Sequence, residues 1–135
     1  MRYLLDTSVW FRGVSEPESL PENIRKLLAG SQTEFGLSVI SLWEIANKHQ
    51  IGKLTLNLEL GAWLKEAIAA NVTLLSLTPE IIVDAMALPG FPVRDPADEL
   101  IVATARVHNL TLLTSDTKLK KYNHAKIQHF TPITP

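Results

Sequence analysis

Short apolar runs that stop abruptly at helix-capping residues recur along this chain, and that alternation restricts its possible folds more than any other feature. Tyr3-Leu4-Leu5 ends at Asp6-Thr7-Ser8, residue types favoured at helix N-caps. Residues 34–38 read as a second strand running into helical spacing over 39–50, where Leu42, Ile45, Ala46 and His49 share a face and Gly52 closes the helix. A third strand over 72–77 meets Thr78-Pro79-Glu80, a cap, a proline and an acid in the order that starts helices. Residues 110–113 form a fourth strand ending in Thr114-Ser115-Asp116, and 126–130 a fifth. The intervening helices run from Pro21 to Gly30, over 58–70, and from Asp95-Pro96-Ala97-Asp98 to His108-Asn109. Strands and helices alternating at these lengths predict an α/β fold, a three-layer α/β/α sandwich with a mostly parallel central sheet. Handed crossovers then bring the carboxyl ends of the strands to one edge.

No repeat, low-complexity tract or flexible linker interrupts the 135 residues, so 1–135 read as a single domain. The chain contains no cysteine, which excludes disulfides, thiolate catalysis, zinc fingers and iron–sulfur clusters, and suits a reducing, cytoplasmic setting. No apolar run approaches the length of a membrane span and nothing marks the chain for export, so no membrane association is expected. Thirteen basic residues against fourteen acidic ones leave a net charge of -1, which argues against a strongly basic nucleic-acid coat while permitting a local basic face.

Aspartate occurs at 6, 84, 95, 98 and 116, and all but Asp84 follow a strand or begin a helix. In an open α/β sheet the crevice beyond the strand ends is the usual binding site, so Asp6 and Asp116 converge by topology, and Asp98 and Glu44 border the same edge. Helix capping competes with function at each position. Asp95, followed by Pro96, reads as an N-cap; Asp98 and Asp116 divide evenly between capping and a site; Glu44, by spacing alone, is a solvated helix acid. Asp6 fits the capping account least, because Thr7 and Ser8 are available as caps. Clustered carboxylates raise one another's pKa unless a cation neutralises them, and oxygen ligands without cysteine select magnesium or manganese. Such ions suit phosphodiester chemistry.

Leu4-Leu5-Asp6-Thr7-Ser8-Val9, Glu44 within Ser41-Leu42-Trp43-Glu44-Ile45, Arg94-Asp95-Pro96-Ala97-Asp98 and Thr114-Ser115-Asp116, in that order, resemble a PIN domain, and more closely the VapC-type toxins of prokaryotic toxin–antitoxin pairs. The resemblance spans essentially the whole chain. It implies a magnesium-dependent endoribonuclease with catalytic acids Asp6, Glu44, Asp98 and Asp116. Asp6 and Asp98 would be the central metal ligands, Glu44 a bridging or ordering acid, and Asp116 the acid at a second metal or its water shell. Thr114 and Ser115 match the small hydroxyl residues preceding the last acid; Thr7, Arg94 and Ser115 are weaker substrate-binding positions. Glu99 departs from the pattern, since many members carry a basic residue there. Lys118, Lys120 and Lys121 are either phosphate contacts or the solvated face of a short helix.

The resemblance also implies partners: an RNA substrate, a cognate antitoxin, and a homodimer or a hetero-oligomer with that antitoxin. Trp10, Trp43 and Trp63 bear on this, because any tryptophan left outside the core marks an interface. The alternative is a catalytically silent PIN-like module that binds RNA or protein, which four intact acids oppose. Aspartate-nucleophile phosphoryl-transfer domains fit poorly, since Asp6 is followed by Thr7 and Ser8 rather than by a second acid.

Overall fold

The computed structural model describes residues 1–30, 32–69 and 71–133. In chain order the elements are β1 (Tyr3–Leu5), α1 (Thr7–Ser15), α2 (Glu22–Ala29), β2 (Phe35–Ser38), α3 (Val39–Gln50), α4 (Leu60–Ala67), β3 (Val72–Leu75), α5 (Pro79–Met86), α6 (Pro96–Val107), β4 (Thr111–Thr114) and β5 (Lys126–His129), with short 3₁₀ turns at Pro17–Ser19 and Thr117–Leu119. The strands pair in the order β3-β2-β1-β4-β5, every pairing parallel. Tyr3 stands opposite both Phe35 and Thr111, so β1 is the middle of the sheet.

Strand side chains alternate between faces, and the two faces carry separate cores. Tyr3, Leu5, Phe35, Leu37 and Leu113 pack on one side against Val9, Trp10, Ile24 and Trp63 from α1, α2 and α4. Leu4 and Leu112 point to the other side, onto Ile101, Val102 and Ala105 of α6. A sheet covered on both faces needs strands apolar throughout, which is why Tyr3, Leu4 and Leu5 are all buried. The three-layer sandwich expected from the alternation is the architecture observed.

Capping determines where the helices start. Ser38 Oγ accepts from Ile40 N, Glu59 from Gly61 and Ala62, and Thr78 Oγ1 from Ile81 N. Glu59 accounts for the start of α4 at Leu60, later than residue 58, and the helix ends at Ala67, short of the expected 70, a position that itself lies outside the described residues. The third strand stops at Leu75, short of 77. No helix among the described residues is long and apolar enough to cross a membrane.

Two tryptophans are core. Trp10 and Trp63 are each 2% exposed, meet edge to face at 5.2 Å, and donate their indole N–H groups to Ala67 O and Ser15 Oγ. Trp43, on α3, is 57% exposed. A mostly apolar hollow of about 200 Å³ lies beside α1 and α2, lined by Val9, Trp10, Val14, Leu20 and Leu28.

Candidate active site

Asp6, Glu44, Asp98 and Asp116 reach the carboxyl edge of the sheet by four routes. Asp6 directly follows β1, and its backbone N–H continues the ladder to Leu113 O at 3.1 Å. Its side chain caps α1, Oδ1 accepting from Thr7 N at 2.8 Å, so the capping that Thr7 or Ser8 could have supplied comes from Asp6 itself. This corrects the expectation drawn from the N-terminal segment. Capping uses one oxygen only; Oδ2 accepts from Thr114 Oγ1 at 2.6 Å. The Thr114 hydroxyl in turn accepts from Asp116 N at 3.0 Å, and Asp116 Oδ1 from Lys118 N at 2.9 Å. Asp6 is 7% exposed.

Glu44 is half-buried, not solvated. Thr7 Oγ1 donates to its Oε1 and also lies 2.8 Å from Ser41 Oγ. A hydroxyl carries one hydrogen, so with Thr7 donating to Glu44, Ser41 is the donor to Thr7. Thr7 is buried, and its hydroxyl holds Glu44 in place where a substrate contact was expected. Asp98 sits in the first turn of α6, whose cap is Asp95: Oδ1 accepts from Ala97 N at 2.9 Å and from Asp98 N at 3.3 Å. The Asp98 carboxylate accepts no hydrogen bond from any described residue.

Electrostatics ties the acids together. Burial pushes Asp98 up to about 7, and the charges of Asp6, Asp95, Glu44 and Asp116 push in the same direction. Burial also raises Asp6 and Glu44; the hydrogen bonds from Thr114 and Thr7 oppose it, and so does the charge of Lys48. None of the four acids forms a salt bridge with a described residue, whereas Asp84, outside the cluster, is held by Arg106 at 2.9 Å. Charges withdrawn from water are ordinarily paired or bound to a metal, and the half-buried Asp84 has Arg106. The cluster is an all-oxygen donor set, whose chemistry fits a hard divalent ion. Among the described residues no three such side chains close into a ready-made ligand cage. Magnesium does not require one, since it keeps several waters and takes one or two carboxylates.

The other expected positions contribute no side-chain hydrogen bond to this network among the described residues. Arg94 is exposed and lines a hollow with Leu88, Phe91 and Glu99, and it is not among the charges acting on the acids. Ser115 forms no hydrogen bond with a described residue; its neighbour Thr114 makes the contact to Asp6. Lys118, Lys120 and Lys121 are exposed around the turn after Asp116. Lys48 is the cation that does act on Asp6 and Glu44, four residues after Glu44 on α3. That helical spacing was the available signal for it, and Ser41 shares the face.

A PIN domain family model matches residues 3–125. Ribonuclease VapC22 of Mycobacterium tuberculosis is 31% identical over 123 residues, which cover 91% of this chain and 93% of that protein. The fold is similar to that in the crystal structure of VapBC2 from Rickettsia felis bound to a DNA fragment from their promoter, with TM-score 0.71 and 17% identity over 96% of this chain and 98% of that one. It is also similar to DNA-bound VapBC from Salmonella typhimurium, with TM-score 0.69 and 20% identity over 96% and 98%.

Proposed function

Since the chain belongs to the PIN domain family, we propose that residues 1–135 form a VapC-type toxin, a metal-dependent endoribonuclease that acts in the cytoplasm and is restrained by an antitoxin protein. The observation that carries the catalytic part is the group of four electrostatically coupled acids, none of them ion-paired with a described residue. Asp6 and Asp98 would hold magnesium or manganese, Asp116 would stand at its water shell or at a second ion, and Glu44 would order the site. When bound, such an ion would supply Lewis-acid polarisation of the phosphate and acidify a water. The chain supplies the rest. Thr114 holds Asp6 and aligns Asp116, Thr7 and Ser41 hold Glu44, and Asp95 sets the first turn that carries Asp98. Lys48 is placed to offset charge as a polyanion approaches.

The apolar hollow beside α1 and α2 is the surface an antitoxin segment would cover. The test of catalysis is purified protein incubated with bacterial RNA in magnesium, in chelator, and beside Asp6→Asn. Cleavage that needs the ion and falls by at least about 100-fold in the variant is expected. Equal cleavage by both proteins would overturn the assignment.

A further inference from the structure

Trp43 is an expensive residue to leave in water. The other two tryptophans are buried and hydrogen-bonded, while Trp43 is 57% exposed, and among the described residues its indole N–H has no acceptor and its ring meets no other aromatic ring. Its location is specific. Helix α3 starts at the carboxyl end of β2, and on its surface residues four apart form rows. Glu44 and Lys48 make one row, the acid inside the site and the cation at its exposed margin. Trp43 and Asn47 make the next row outward, and the Asn47 side-chain amide also has no partner among the described residues. An acid, a cation, an aromatic face and an amide without a partner among the described residues thus occupy neighbouring rows of α3. Duplex RNA keeps its bases stacked on one another, whereas an unpaired base can stack on an aromatic side chain and expose its edge to an amide.

We propose that Trp43 is a substrate-positioning residue of the ribonuclease, a stacking platform for one unpaired base beside the cleaved phosphate, with Lys48 on the adjoining phosphate and Asn47 at the base edge. The proposal rests on the ribonuclease reading above and adds to it a binding residue outside the acid cluster. Stacking depends on a planar ring and not on indole chemistry, so Trp43→Phe retains most of it and Trp43→Ala removes it.

The experiment compares wild type, Trp43→Ala and Trp43→Phe on total bacterial RNA and on single-stranded pools of about 12 randomised nucleotides, with magnesium or manganese. Circular dichroism and thermal melting establish that each variant is folded. Trp43→Ala is expected to lose about 5- to 150-fold in kcat/KM through a raised KM, with kcat at saturating RNA close to wild type. Trp43→Phe is expected to stay near wild type. If wild type cleaves and Trp43→Ala matches it in KM, the proposal fails and the ribonuclease reading stands. If wild type cleaves neither substrate with either metal, both fail. If Trp43→Ala leaves cleavage unchanged but shifts the sedimentation coefficient toward a smaller species, Trp43 belongs to a protein interface and the proposal is overturned.

Discussion

Asp98 is half-buried, surrounded by four other acids, and its carboxylate has no hydrogen-bond donor among the described residues. Its pKa in the folded chain, about 7 against an ordinary 3.8, has a thermodynamic sign. Between those values the folded state binds more protons than the unfolded one, so in metal-free protein this contribution to stability is present at acid pH and lost as pH rises toward 7. Burial of Asp6 and Glu44 acts in the same direction. Metal-free Asp98→Asn is therefore expected to melt about 2–5 °C above wild type at pH 8 and together with it near pH 4, measured by calorimetry. Thr114→Val tests the opposite kind of residue. It removes the buried donor to Asp6 and the acceptor for Asp116 N, and should lower stability by about 1–3 kcal/mol and cleavage by about 10- to 100-fold. An unchanged melting temperature would count against that role. Asp6 and Asp116 were legible in the sequence because topology alone brings strand ends together, whereas Glu44, which spacing alone makes a solvated acid, and Asp98, divided between capping and a site, entered the set through the family resemblance. The hydroxyl wiring was not, because Thr114, Ser41 and Thr7 are ordinary residues until tertiary packing decides which carboxylate each one meets.

At the level of elements, a single capping interaction serves two purposes. Asp95 starts α6, and the turn it starts carries Asp98. Asp95→Ala should cost about 0.5–2 kcal/mol in denaturant unfolding, and it should also raise the metal concentration needed for half-maximal cleavage. Asp95→Asn, which keeps the cap and removes the charge, should restore stability. Capping was legible for α6 from Asp95-Pro96 because the cap and the first helical residue are adjacent in the chain. For α1 the same logic pointed to the wrong residue. Three candidates stand in a row at 6, 7 and 8, and which one caps depends on Asp6 leaving the strand with extended backbone, φ -67° and ψ 154°. The division of labour among tryptophans was equally hidden. All three lie in apolar surroundings in the sequence, and only packing shows that α1 and α4 bury theirs while α3 does not.

Across the whole molecule, the net charge of -1 is an average over an acidic sheet edge and scattered surface lysines. A ligand that binds the folded state alone stabilises it by mass action. Magnesium should therefore raise the melting temperature, by more at pH 8 than at pH 5, where protons compete for Asp98, and Asp98→Asn should respond less. Differential scanning fluorimetry across magnesium concentrations reads this directly. The bond between Thr114 and Asp6 spans 108 residues, and β1, the middle of the sheet, pairs with β4 on one side. A ribosome delivers the chain from its amino end, so β1 waits for that neighbour until residue 114 has been made. Asp6 leaves the ribosome early but lacks its hydroxyl partner until translation is nearly past the site, and the constellation of acids cannot assemble on a nascent chain that stops short of it.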